Sequence, residues 1–300
     1  MSRFGLALLA ALVLVGCSKD ESASTPSRVV PARKVSAPVK EAIDRICQLE
    51  GSGCRVVSRR LDVSGLSAKD FQRELLACTG AVVHVWMPGE RDWLLVSRCE
   101  TNRTSLAEAM DLFAADTNCT TSVPEVFASY VGTREDVLPA FASNLRGDVV
   151  PEWFVTKDIP KIDWLDTAGV DEDILAPTLA EIRSMQVIRR LVLEGNMMAA
   201  KAKDKKGEDE ATEKWARAAL RNPTDPLLLE RIDNLNRNAR GFLEVGKVLQ
   251  AMKCYETVVL IRPKDTAAVH NFGTCLKRIG KQDMADKVLE RARQLREEMQ

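Results

Sequence analysis

The sequence predicts an α/β unit of three strands followed by an all-α helical array, and two observations lead to that prediction. Between residues 38 and 170, segments with helical spacing of apolar residues alternate with short β-rich runs. In the last third of the chain, small and apolar residues recur with a period of 34 residues, which is typical of stacked helix pairs. The 300 residues include 43 cationic and 43 acidic side chains, so the overall charge does not favour nucleic acid as a partner.

The first 16 residues have the features of a removable secretion signal. Arg3 precedes an apolar run from Leu6 to Val15 that is too short to span a bilayer. The next residues, Leu14-Val15-Gly16-Cys17, resemble the bacterial lipobox, which implies that Cys17 receives a lipid and becomes the first residue of the mature chain. Because Ser18 follows the cysteine, we expect an anchor in the outer membrane facing the periplasm. The alternative is an ordinary signal with a chance cysteine.

Four regions follow from composition and pattern. Residues 1–16 are the signal, and residues 17–37, rich in Ser, Pro and charge, are expected to be a disordered tether. Residues 38–170 hold the α/β unit. Residues 171–300 hold the helical repeats.

The α/β unit is predicted as helix, strand, helix and then two antiparallel strands, with Ser67 as the N-cap of the second helix. Shorter helices are expected to follow around SLAEAMDLF, VPEVFASYV and REDVLPAFAS. Three motifs, Gly65-Leu66-Ser67, Val83–Trp86 and Asp92–Val96, stand in the order found in the terminal part of long spermidine synthase-like proteins of bacteria, and residues 156–165 are also similar. The resemblance implies the last three strands of a methyltransferase-like, Rossmann-type fold. In that fold the final strand lies between its two neighbours and is antiparallel to both.

The period of the last third is visible in individual residues. Gly246 and Gly280 are 34 residues apart, and Ala251 and Ala285 have the same separation. The pattern resembles the tetratricopeptide repeat, and a more divergent unit precedes, which implies about three helix pairs. Prolines end the units, and two of them, Pro223 and Pro263, are 40 residues apart. The middle unit therefore has about six extra residues, which we expect in a longer first helix.

The first helices of such repeats line a concave groove. The resemblance places six polar side chains there: Asn236, Arg240, Glu244, His270, Thr274 and Arg278. Our interpretation is a surface that binds a segment of another envelope protein. The alternative is an ordinary solvated helix face.

The functional expectation is a non-catalytic scaffold. Residues 1–37, interpreted as signal and tether, cannot supply the nucleotide-binding half of a methyltransferase-like fold, so we expect no catalytic residue and no cofactor. The two histidines, His84 and His270, have no Cys or carboxylate at metal-ligand spacing, so no metal site is expected. The competing hypotheses are a spermidine synthase-like transferase or other enzyme completed by a partner chain, and a structural lipoprotein without a groove ligand.

Cysteine pairing is implied by the resemblance and is left open by the residues themselves. An oxidising periplasm allows disulfides to persist, although buried thiols are the alternative. If the family's strand arrangement holds, Cys99 at the end of the final strand lies near Cys78 and Cys54, which precede the flanking strands. Cys78–Cys99 is the favoured pair and Cys54–Cys99 the second, since sequence alone does not fix connectivity.

Overall fold

The structure is a computed structural model, and it describes part of the chain. The described residues are 41–43, 45, 57–62, 67–80, 82–89, 92–98, 104–115, 121–142 and 165–298. The predicted signal, the tether, Cys17, Cys54 and Cys99 lie outside them. The described residues form two compact units, divided between Leu228 and Leu229.

The first unit contains an antiparallel sheet of four strands in the order β1-β3-β2-β5. Its strands are β1 (Val57–Asp62), β2 (Val82–Trp86), β3 (Asp92–Arg98) and β5 (Tyr130–Thr133). A separate pair of two-residue strands, β4 (Thr104–Ser105) and β6 (Leu165–Asp166), is parallel.

Strand β3 lies between β1 and β2, as the resemblance implies. It pairs with β2 through Val82 opposite Arg98 and Trp86 opposite Leu94. It also pairs antiparallel with β1. The predicted hairpin and the central position of β3 are therefore confirmed.

Strand β5 is a difference from the prediction. The sequence indicates a helix through VPEVFASYV, but that helix ends at Ala128 and the next residues form a strand. The segment has aromatic and β-branched residues that suit the free edge of β2, where Trp86 pairs with Tyr130. Gly132, with φ +146°, adopts a conformation that favours glycine. The sheet therefore has four strands where three are predicted.

Besides the helical residues 41–43 and 45, the described part of this unit has four short helices before residue 165: α1 (Ala68–Ala77), α2 (Leu106–Ala115), α3 (Val123–Ala128) and α4 (Arg134–Ala142). The predicted N-cap is confirmed, since the Ser67 hydroxyl accepts a hydrogen bond from the Asp70 N–H at 3.2 Å. The core includes Trp86, whose ring centroid lies 6.1 Å from that of Phe127 and 5.1 Å from that of Tyr130. Aromatic packing thus joins α3 to β2 and β5.

Six helices follow. They are α5 (Glu172–Lys201), α6 (Lys205–Arg221), α7 (Pro226–Glu244), α8 (Val248–Ile261), α9 (Thr266–Arg278) and α10 (Gln282–Glu297). Helix α7 has 19 residues and α9 has 13. The six-residue difference agrees with the longer first helix that the sequence predicts.

The division into compact units falls within α7, whereas the sequence pattern placed the boundary at residue 170. Helix α5 packs on α3 and on α6 within the first unit. Its Arg189 side chain, 2% exposed, donates hydrogen bonds to the carbonyl oxygens of Met87 and Pro88 at the end of β2. These long-range contacts explain why α5 and α6 belong with the sheet.

The turns that end α7 and α9 are equivalent. Gly246 has φ +74° and Gly280 has φ +79°, both in the left-handed region. The Lys247 N–H donates to the Phe242 carbonyl at 2.8 Å, and the Lys281 N–H donates to the Leu276 carbonyl at 3.0 Å. Glycine at these two positions ends a helix without steric cost, as the 34-residue period requires.

Helices α5 and α6 approach closely at Gly195. The Trp215 indole N–H on α6 donates to the Val192 carbonyl at 3.2 Å and to the Asn196 side-chain oxygen at 3.0 Å. A Cβ at position 195 would lie 2.5 Å from Trp215 Nε1 and 3.0 Å from the Ala211 carbonyl oxygen. Only glycine allows this crossing.

Replacing Gly195 with alanine should therefore destabilise the first unit by about 1–3 kcal/mol, the usual cost of overpacking. Gly241→Ala is the matched control, since nothing lies within 4 Å of its added Cβ. It should stabilise α7 by roughly 0.5–1 kcal/mol. All five tryptophans precede residue 229, so tryptophan fluorescence in urea follows the first unit, and far-ultraviolet circular dichroism follows the helices. A Gly195→Ala protein as stable as the wild type would contradict the close approach.

Candidate functional site

The six predicted groove residues occupy two helices of the second unit. Each set of three has a spacing of four residues, which places its members on one helix face. Asn236, Arg240 and Glu244 are on α7, and His270, Thr274 and Arg278 are on α9. All are exposed except Asn236, which is partly buried. The side chains are accessible, as a binding surface requires.

A buried tyrosine lies near Arg240, one residue of this surface. Tyr255 on α8 is almost fully buried. Burial raises the pKa of its phenol, the Cys275 thiol on α9 raises it further, and the guanidinium of Arg240 on α7 lowers it. The three helices therefore bring Arg240, Tyr255 and Cys275 close enough to interact electrostatically.

The second arginine of the surface lies near the same thiol. Burial raises the pKa of Cys275, and the positive charge of Arg278 lowers it. Arg240 on α7 therefore lies near the buried Tyr255, and Arg278 on α9 lies near the buried Cys275.

The local hydrogen bonds of the surface leave its charges available. The Thr274 hydroxyl donates to the His270 carbonyl at 3.0 Å, and Arg240 Nε donates to the Asn236 carbonyl at 3.4 Å. Within the described part of the chain, neither Arg240 nor Arg278 lies within ion-pair distance of a carboxylate. An anionic ligand group could therefore pair with either arginine.

Small residues hold the helices of this unit close together. An added Cβ at Gly273 on α9 would lie 2.8 Å from Leu289 Cγ on α10. Ala251 on α8 and Ala285 on α10 are fully buried at equivalent positions of the period. Close packing fixes α9 on its neighbours and so fixes the spacing of its three groove residues.

The first unit contains a buried polar cluster that the sequence did not reveal. Asp225 is buried and caps α7, accepting hydrogen bonds from the Leu227 and Leu228 N–H groups at 3.0 and 3.2 Å. Burial raises its pKa, and Arg189 lowers it. Burial also raises the pKa of Glu125 on α3, and Arg189 again opposes the effect. The buried guanidinium thus lies near two carboxylates from different elements.

Two sequence signals could have indicated this cluster. Arg189 follows Ile182 by seven residues on the apolar face of α5, a position normally filled by an apolar residue. Asp225 directly precedes Pro226, and an acidic residue before a proline is a typical helix start. Neither signal indicates that the two side chains are near each other.

The cysteine prediction is only partly within the described residues. Cys78 is buried, and its thiol donates to the Glu74 carbonyl at 3.4 Å. Val82, at the start of β2, is opposite Arg98, and Val57, at the start of β1, is opposite Ser97. The last residues of β3 therefore lie at the same end of the sheet as the first residues of β1 and β2. The pairs Cys78–Cys99 and Cys54–Cys99 stay predictions.

Comparisons with protein-family models, curated proteins and solved structures gave no match. No described helix combines the length and apolar character needed to cross a membrane. Among the described residues there is also no group of three or more His, Cys, Asp or Glu side chains placed to hold a metal ion.

His84 is a buried titratable group on strand β2 of the sheet. Its Nδ1 lies 3.4 Å from the Tyr130 hydroxyl oxygen. Burial lowers its pKa from 6.5 to about 4, although Glu135 acts in the opposite direction. The imidazole is therefore neutral in the folded protein at neutral pH.

Acidification should therefore destabilise the first unit through His84. As the pH falls below 6.5, His84 binds a proton in the unfolded chain, whereas in the folded chain it stays neutral until about pH 4. The free energy of unfolding therefore decreases between pH 6.5 and pH 4, by roughly 3 kcal/mol in total. In a His84→Gln variant, the pH dependence of the free energy of unfolding should decrease by that amount. The exposed His270 provides the control variant, His270→Gln. Both variants keep Glu125 and Asp225, whose raised pKa values increase the free energy of unfolding as the pH falls. Their contribution is therefore the same in each protein that is compared. Identical pH profiles for wild type and His84→Gln would contradict the assignment.

Proposed function

We propose that this chain is a lipid-anchored protein of the bacterial envelope that acts as a non-catalytic scaffold. The groove formed by α7 and α9 binds a segment of another envelope protein. The observation that supports this most is the pair of exposed arginines, Arg240 and Arg278, which have no carboxylate partner among the described residues and lie near the buried pair Tyr255 and Cys275. The lipid on Cys17 holds the scaffold at the membrane, on the evidence of the lipobox resemblance.

The chemistry of the surface favours a ligand with carboxylates next to polar groups. Arginine pairs with carboxylates through two parallel hydrogen bonds, and the neighbouring Asn236 and His270 side chains offer further polar contacts. Glu244 at the end of the α7 row repels a ligand that is acidic throughout. An extended segment with one or two acidic residues satisfies both conditions.

The helical array supports a tetratricopeptide arrangement. Its equivalent glycine turns at Gly246 and Gly280, its alternating small residues and its longer α7 are the features that such repeats need. In the first unit, the order β1-β3-β2 supports a methyltransferase-like origin for the sheet. On that interpretation β5 is an addition to the sheet, and a partner-completed transferase is the alternative function, which requires binding of an adenosyl nucleotide.

Charge reversal tests the groove. The test variant is Arg240→Glu, Arg278→Glu, purified by affinity from detergent-solubilised envelopes. The amount of partner protein that it recovers should fall roughly tenfold or more, because the new glutamates repel the acidic groups that the arginines attract. Lys264→Glu, Arg296→Glu is the matched control, since both side chains are exposed in the same unit and are not among the groove residues. Circular dichroism should show equal folding of both proteins. Full retention of every partner by the groove variant, or equal loss in the control, would reject the proposal.

A further inference from the structure

The two equivalent turns of the second unit lie at the same end of its helices. Tight turns reverse the chain between α7 and α8, between α8 and α9, and between α9 and α10. The first and third turns are therefore at one end and the second is at the other. We call residues 244–249 and 277–283 the turn edge.

The turn edge exposes large apolar side chains. Val245 is 66% exposed and Leu249, four residues later, is 59% exposed. At the opposite end, the turn of residues 262–265 has no strongly exposed large apolar side chain among the described residues. The apolar exposure is thus specific to one end of the unit.

Lysines begin both helices at this edge. Lys247 is the N-cap of α8 and Lys281 the N-cap of α10, and neither side chain makes a capping hydrogen bond. A cation there is unfavourable, since a helix N-terminus is the positive end of the helix dipole. At the opposite end, Asp265 caps α9 and accepts from the Ala268 N–H at 3.0 Å. Local helix stability therefore does not explain the two lysines.

The turn edge is also net positive. Its four cations are Lys247, Lys277, Arg278 and Lys281, and its two carboxylates are Glu244 and Asp283, for a net charge of +2. Both capping lysines are exposed, and among the described residues neither lies within ion-pair distance of a carboxylate. An anionic surface is the matching partner.

The size of the apolar patch decides between a protein and a membrane. A stable protein interface buries about 800 Å² on each partner, which two aliphatic side chains do not provide. Contact with a bilayer surface needs only a few shallow apolar side chains together with lysines that face anionic headgroups. The predicted lipid on Cys17 would keep the chain near such a surface, so a weak affinity is sufficient.

We propose that the turn edge docks on an anionic phospholipid surface. Val245 and Leu249 enter the headgroup region, and Lys247 and Lys281 pair with lipid phosphates. This contact shares Glu244 and Arg278 with the proposed ligand groove, but its test changes neither of these residues and does not use the Cys17 lipid. Its failure and the failure of the proposed function are therefore distinguishable.

Vesicle sedimentation tests the proposal with residues 17–300 carrying Cys17→Ser, which is the expected mature chain without its lipid and without the apolar run of residues 6–15. The protein should bind vesicles of equal parts phosphatidylglycerol and phosphatidylcholine at low salt, and should not bind phosphatidylcholine alone. Each lysine near an anionic surface contributes about fivefold to the partition, so Lys247→Asp, Lys281→Asp should lower binding roughly 25-fold or more. The same double variant should melt at a higher temperature, because aspartate is a favourable N-cap, so unfolding cannot explain the loss.

Two further variants complete the test. Val245→Ser, Leu249→Ser should also reduce binding, whereas Lys264→Asp at the opposite end should bind like the parent chain. The proposal is overturned if the parent chain ignores phosphatidylglycerol vesicles, the result expected for a protein-docking patch. It is equally overturned if the Lys247→Asp, Lys281→Asp chain binds as the parent does.

Discussion

The buried guanidinium of Arg189 is the constraint on which the first unit depends. Removing a charge from water without partners costs several kcal/mol, so the side chain must reach the carbonyl oxygens of Met87 and Pro88. This requirement fixes α5 against the end of β2. Helix α6 then docks on α5 through the contact of Gly195 with Trp215, and the carboxyl groups of Glu125 and Asp225 lie close enough to Arg189 for its charge to lower their pKa values. The sheet and α5 are thus held by the polar contact of Arg189 and by packing of α5 on α3, and α6 is held on α5 by the close approach at Gly195.

In the second unit, helix packing and surface chemistry follow different requirements. Packing needs glycine or alanine where two helices touch, as at Gly273, and the 34-residue repeat places small residues at such positions. The exposed cations do not serve packing. Arg240 and Arg278 lack acidic partners among the described residues, and Lys247 begins a helix at an unfavourable position. Because these charged side chains contribute little to stability, a role in binding explains their presence better than a role in folding.

The sequence predicts the features that depend on neighbouring residues. The β2–β3 hairpin, the Ser67 cap and the longer α7 are confirmed, since turn chemistry, capping and a repeat length are all visible locally. Strand β5 was missed because the four residues after α3 become a strand only through pairing with β2. The Arg189 cluster was missed for a similar reason, since Met87 and Pro88 are about a hundred residues from Arg189 along the chain and Glu125 and Asp225 belong to other elements.

The most direct test of the central claim is site-specific photo-crosslinking in intact cells. A photoreactive amino acid at Thr274 replaces an exposed groove residue of α9, and the same amino acid at Asp286 replaces an exposed residue of α10 outside the groove set. A groove that binds a protein segment predicts a discrete adduct from position 274 and none from position 286. That adduct should disappear when Arg240 and Arg278 are reversed to glutamate. No adduct at position 274, or the same adduct from both positions, would contradict a binding groove on α7 and α9.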